Sequence, residues 1–145
     1  MPKIRAVIDT NVIVSGIISP KGYPRKIIEA ALNEQFRVIT SVSINHEILN
    51  VLYRKHIYMK YHLEEETIRG ITSFLYEGTV ITGESIVVDH IRADPSDDKF
   101  LACAIEGEAG YIVSGDDHLL ALNYYKDIQI VDSATFIKIS TSSTK

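Results

Sequence analysis

An α/β fold with a central, mostly parallel twisted sheet is predicted by three features of this chain. Short apolar runs alternate with stretches of helical periodicity, small polar or acidic residues punctuate the runs, and the 145 residues suit a single core. One domain is expected over 1–139, followed by a polar segment, 140–145, that should fray. Hydrophobic residues make up 46% and charged residues 23%, which argues against disorder. The apolar runs fall far short of the roughly 20 residues that span a bilayer. The start, Met1-Pro2-Lys3-Ile4-Arg5, has no secretory pattern. No membrane association and a cytoplasmic location are therefore expected.

Strands are expected at Ile4–Ile8, Arg37–Thr40, either Thr79–Thr82 or Ile86–Val88, Tyr111–Val113 and Ile128–Val131, where β-branched and aromatic residues cluster. Between them, Pro24 suits the first turn of a helix running to about Asn33, with Ile27, Ile28 and Ala31 inward. Ser41 or Ser43 can cap a helix through Arg54, and Glu64–Tyr76 reads as another. Ser96 is a cap for a helix over Asp97–Glu106, Asp116 or Asp117 for one ending at Asn123, and Ser133 for a last turn through Lys138. Cys103 lies in an Ala-rich helical stretch, is the only cysteine, and reads as core packing.

Four carboxylates stand where such a fold usually places apolar side chains or caps. Asp9 leaves the first strand at its carboxyl end, where functional groups gather in open parallel sheets, and Thr10 and Asn11 follow it. Glu47 is the only charge on a helix face made with Ile44, Ile48, Val51 and Leu52, so it needs a partner, either a metal ion or Arg54 or a lysine from elsewhere. Asp98 falls on the same side of its helix as Leu101, Ala102 and Ile105, with Asp94 and Asp97 on the wetter side and Asp94 as the reserve ligand. Acidic first turns are ordinary complements of the helix dipole, which accounts for Asp97 better than for Asp98. Ser114-Gly115-Asp116 follows a strand, and Gly115 permits a tight turn.

In order and spacing, Ile8-Asp9-Thr10-Asn11-Val12, Glu47, the run Asp98-Lys99-Phe100-Leu101-Ala102-Cys103-Ala104 and Ser114-Gly115-Asp116 resemble the PIN-domain family. These are metal-dependent ribonucleases that include the toxins of VapC-type toxin–antitoxin pairs, and the branch with an Asp-Pro-rich third motif is the most similar. The resemblance implies a three-layer α/β/α fold and an Mg²⁺ or Mn²⁺ site formed by Asp9, Glu47, Asp98 and Asp116. Thr10, Asn11 and Ser114 would position those carboxylates. It further implies hydrolysis of RNA by water attacking phosphorus, a cognate antitoxin, and a homodimer. Ile68, Ile71, Phe74 and Leu75 would serve either the dimer or the core.

Hard oxygen donors agree with those ions rather than zinc. A zinc-protease reading of His46-Glu47 fails because Asn50 stands where the second histidine belongs. A phosphoaspartyl hydrolase would want Asp-x-Asp, and Asn11 occupies that place. The remaining rival is a non-catalytic RNA-binding or protein-interaction module that retains the fold. With a net charge of −4 the chain does not grip nucleic acid by bulk electrostatics. Arg54, Lys55 and Lys60, interleaved with Tyr53, Tyr58, Tyr61, His56 and His62, form either a phosphate- and base-binding cluster or a solvated helix end with tyrosines packed on the core.

Overall fold

The computed structural model describes residues 3–88 and 95–143. The chain runs β1 (Arg5–Ile8), α1 (Thr10–Ile18), α2 (Tyr23–Leu32), β2 (Arg37–Ser41), α3 (Val42–Leu52), α4 (Lys55–Tyr58), α5 (Glu65–Glu77) and β3 (Val80–Thr82). A 3-10 turn (Pro95–Asp97) then leads into α6 (Asp98–Glu106), β4 (Tyr111–Val113), α7 (Asp117–Leu122), β5 (Tyr124–Tyr125), β6 (Ile128–Val131) and α8 (Ser133–Ser143). Among the described residues, six strands form one sheet in the order β3-β2-β1-β4-β6-β5, parallel except for β5, which runs antiparallel to β6. Helices cover both faces, giving the three-layer α/β/α fold expected.

Strand register sorts the side chains between the layers. Ala6 pairs with Val38 and Val7 with Ile39, and paired neighbours share a face because side chains alternate along each strand. On one face, Ile8 and Val38 join Ile13, Ile27, Ile71 and Phe74 of α1, α2 and α5 around an apolar cavity of about 290 Å³. On the other, Ile39 meets the end of α6 so closely that a Cβ on Gly107 would lie 2.2 Å from Ile39 Cγ2. The inner strands β1, β2 and β4 are therefore buried on both sides and carry short unbroken apolar runs.

The chain steps outward from β1 to β2 to β3, then returns past β1 to β4. This reversal opens a crevice at the carboxyl ends of β1 and β4, the usual place for a site in an open α/β sheet. Buried Asn45 braces the nearby α3. Its side-chain oxygen accepts a hydrogen bond from Thr40 Oγ1 (2.8 Å), and its Nδ2 donates to the Leu75 carbonyl (3.2 Å), tying α3 to β2 and α5.

Several local expectations change. Of the two readings for the third strand, Val80–Thr82 pairs with β2, while 86–88 is not a strand. The helices α1 and α4 and the strand β5 are additional to the expected elements. In α1 the apolar residues Val12, Ile13, Val14, Ile17 and Ile18 crowd all round the helix, so helical periodicity is faint. Ser41 caps α3 by accepting from Ile44 N at 3.2 Å, as one of the two expected serines. Ser96 does not cap α6: it lies inside the 3-10 turn, and Asp97 takes the cap position. At α8 the capping carboxylate is Asp132, which accepts from Thr135 N at 2.8 Å, in place of Ser133. That helix runs through Ser143, into the segment expected to fray, while 144–145 lie outside the described residues. Its anchor is Phe136, fully buried, edge-on to Phe36 at 4.9 Å and to Tyr111 at 5.8 Å.

Candidate active site

At the crevice, Asp9 ends β1 and caps α1 by accepting a hydrogen bond from Asn11 N at 3.1 Å. Its backbone N donates to the Val113 carbonyl of β4 at 2.9 Å, locking the two strand ends together. Ser114, the first residue past β4 and fully buried, donates from Oγ to Asp9 Oδ2 at 2.6 Å and accepts from Asp116 N at 2.9 Å. One hydroxyl thus fixes both the Asp9 carboxylate and the backbone that presents Asp116. Asp116 caps α7, its Oδ1 accepting from His118 N (2.7 Å) and Leu119 N (3.2 Å).

Glu47 approaches from α3, the helix next to α1. Thr10 Oγ1 donates to its Oε1, and Lys99 Nζ lies 2.7 Å from its Oε2. The partner required for this charge is thus a lysine from elsewhere. The same ammonium donates to the Ser96 carbonyl at 2.7 Å, so Lys99 joins α3 to the turn before α6. Both side chains keep partial contact with water, which makes this a modest tie rather than a buried ion pair.

Asp9, Glu47, Asp97 and Asp116 line one cavity of about 190 Å³, together with Thr10, Asn11 and Arg54. Three of the four predicted carboxylates therefore meet. Asp98 is also buried, at the first position of α6, but it is Asp97 that lines this cavity. The expectation of a wetter Asp97 is corrected: the 3-10 turn rotates it inward, leaving it 7% exposed. Asp94 lies outside the described residues. Two cations also belong to the site: Lys99 of the third motif, which is the lysine that pairs with Glu47, and Arg54, the other expected partner of Glu47, which lines the same cavity.

The carboxylates influence one another. Burial raises the pKa of Asp9 above the ordinary aspartate range; hydrogen bonds from Ser114 and Asn11 oppose the shift, and the Asp116 and Glu47 charges reinforce it. Such a cluster favours a compensating cation. Among the described residues no three His, Cys, Asp or Glu side chains are disposed to hold a metal as they stand, with Glu47 turned to Lys99 and Asp116 to its cap. Cys103 takes no part. Buried and accepting a hydrogen bond from Thr82 Oγ1 at 3.8 Å, its thiol is pushed up to about 11, chiefly by burial.

Residues 5–118, which include all these carboxylates, match the PIN domain family. The chain belongs to the PIN domain family. An uncharacterized protein of Methanocaldococcus jannaschii is 33% identical to it over 124 residues, covering 83% of this chain and 76% of that relative. The PIN domain is a nuclease fold, and the match ends at His118, just past the last carboxylate. Beyond the matched span, β5, β6 and α8 complete this PIN domain's sheet edge and bury Phe136. No helix among the described residues is long and apolar enough to cross a membrane.

Proposed function

We propose that this PIN domain is a metal-dependent endoribonuclease that hydrolyses phosphodiester bonds of RNA, acting as the toxin of a toxin–antitoxin pair. The observation that carries the proposal is the meeting of Asp9, Glu47, Asp97 and Asp116 around one cavity at the ends of β1 and β4. Carboxylates gathered this way supply only hard oxygen donors, which fit Mg²⁺ or Mn²⁺. Asp9, Glu47 and Asp116 would hold the ion, with the Asp97–Asp98 pair supplying the fourth carboxylate. When bound, such an ion supplies Lewis-acid polarisation of the phosphate and neutralises developing charge.

The chain's own groups do the positioning. Ser114 and Asn11 hold Asp9 in one orientation, Thr10 holds Glu47, and Lys99 offsets part of the negative charge that would otherwise repel an RNA strand. The toxin role draws on the likeness of the third and fourth motifs to the toxin-rich branch of the family. It carries with it a cognate antitoxin that covers the site, a homodimer and a cytoplasmic setting.

The test is cleavage of single-stranded RNA by purified protein with Mn²⁺ or Mg²⁺. Activity should vanish in Asp9→Asn and in excess chelator, and equal cleavage under either condition overturns the proposal. RNA binding by the wild type without any cleavage instead favours a non-catalytic module. Growth arrest on expression of the wild type, absent with Asp9→Asn, tests the toxin role separately.

A further inference from the structure

We propose that the segment from Tyr53 to His62 is a binding surface for single-stranded RNA that delivers the strand to the acidic cavity; its substrate class rests on the nuclease reading. These ten residues carry three formal positive charges, Arg54, Lys55 and Lys60, and no Asp or Glu, in a chain of net charge −4. This excess is complementary to a phosphate backbone, and it ends at the acidic run Glu64-Glu65-Glu66, of which Glu65 is engaged by the tyrosine hydroxyls.

Geometry adds a second argument. The tyrosines do not pack into the core: Tyr53 is 49% and Tyr61 40% exposed. Tyr53 and Tyr58 stack on each other, centroids 5.7 Å apart and planes 18° apart, and both hydroxyls donate to Glu65 of α5, at 3.2 and 3.1 Å. A ring held this way loses little entropy when a base stacks on its open part. Lys60 Nζ sits 5.5 Å from the centre of the Tyr61 ring, so charge and aromatic surface alternate along the segment. That alternation suits a single strand, whose bases are open to stacking, and not a duplex, which hides them.

Arg54 supplies continuity with the site. It precedes α4 and also lines the cavity with Asp9 and Glu47. Among the described residues no carboxylate lies within ion-pair distance of it. The guanidinium can therefore take a phosphate at the cavity mouth, with the next nucleotides running outward over Tyr53 toward Tyr61. A protein partner would call for a continuous apolar patch, whereas this surface interleaves charge with rings.

The experiment measures fluorescence anisotropy of a labelled oligouridylate in chelator, in the Asp9→Asn background, so that cleavage cannot contribute. Tyr53→Ala and Tyr61→Ala should each weaken binding about tenfold, and Tyr53→Phe should retain it. Lys55→Gln with Lys60→Gln should flatten the dependence of log K on log salt by roughly 1.4, about 0.7 per cation for a single strand. Unchanged affinity in the tyrosine variants, equal affinity for inorganic polyphosphate, or no binding by the starting protein overturns the surface. Tyrosine-dependent binding in a protein that never cleaves RNA defeats the nuclease reading and leaves the surface standing. Cleavage indifferent to the tyrosines does the reverse.

Discussion

At the scale of residues, Asp9 shows how the site trades stability for charge. Its folded pKa is raised by burial, so its contribution to stability is present below the unfolded value and lost as pH rises through the folded one. At neutral pH the ionised group therefore weakens the metal-free fold. Asp9→Asn keeps an acceptor for Ser114 and should stabilise that fold by about 0.5–2 kcal/mol, measured by urea unfolding in chelator. A destabilised variant would show that the Ser114 and Asn11 hydrogen bonds outweigh the burial of charge. Glu84 and Asp132 behave oppositely: their carboxyls are held low by the Ser43 and Thr135 backbone N–H groups, and what they contribute disappears as pH falls through the folded values.

Lys99 offers a second residue-scale prediction. Its ammonium competes with any added cation for Glu47. Lys99→Met should tighten Mn²⁺ binding by calorimetry, on the order of tenfold, because one positive charge leaves the rim. Weaker binding would mean that the tether from Lys99 to Glu47 and the Ser96 carbonyl organises the site instead. Cys103 should resist thiol reagents in the folded protein at neutral pH, since burial keeps it protonated and covered. Rapid labelling without unfolding would contradict this.

At the scale of elements, the crossing of α1 and α2 sets how the first motif sits. A Cβ on Gly16 would lie 2.6 Å from the Pro24 carbonyl oxygen and 2.5 Å from Ile28 Cγ1, so only glycine lets these helices approach. Gly16→Ala should cost roughly 1–3 kcal/mol in chemical denaturation despite alanine's better helix propensity. A neutral or stabilising effect would mean that α2 shifts freely. Since Asp9 caps α1, a displaced α1 should also weaken Mn²⁺ binding. The elements were legible wherever periodicity was plain, as in α2, α3 and α5, and at β-branched runs such as β1 and β6. They were not legible where apolar residues around most of the helix blurred the pattern, as in α1, or where a backbone turn decided which side chain points inward, as at Asp97.

At the scale of the whole molecule, the site belongs to no single element. Its four carboxylates come from the end of β1, the middle of α3, the turn before α6 and the cap of α7. A cation bound among them should stabilise the whole fold, by about 2.7 kcal/mol at a free concentration one hundred times Kd. Scanning calorimetry with and without Mn²⁺, and after chelator, measures this, and a melting temperature indifferent to the ion would argue against a shared site.

Of the four apolar residues with two expected roles, Ile68 and Leu75 are fully buried, and Ile71, Phe74 and Leu75 line the apolar cavity beneath α1 and α2. By itself the sequence determined the layered α/β architecture and picked out Asp9, Glu47 and Asp116, because strand alternation, helix faces and misplaced charges are written locally along the chain. Only the tertiary structure decided that Asp97 faces the cavity, that Lys99 answers Glu47, and that Arg54 stands at the mouth. Those facts depend on how distant segments are rotated and packed, and no residue's immediate neighbours in the chain encode that.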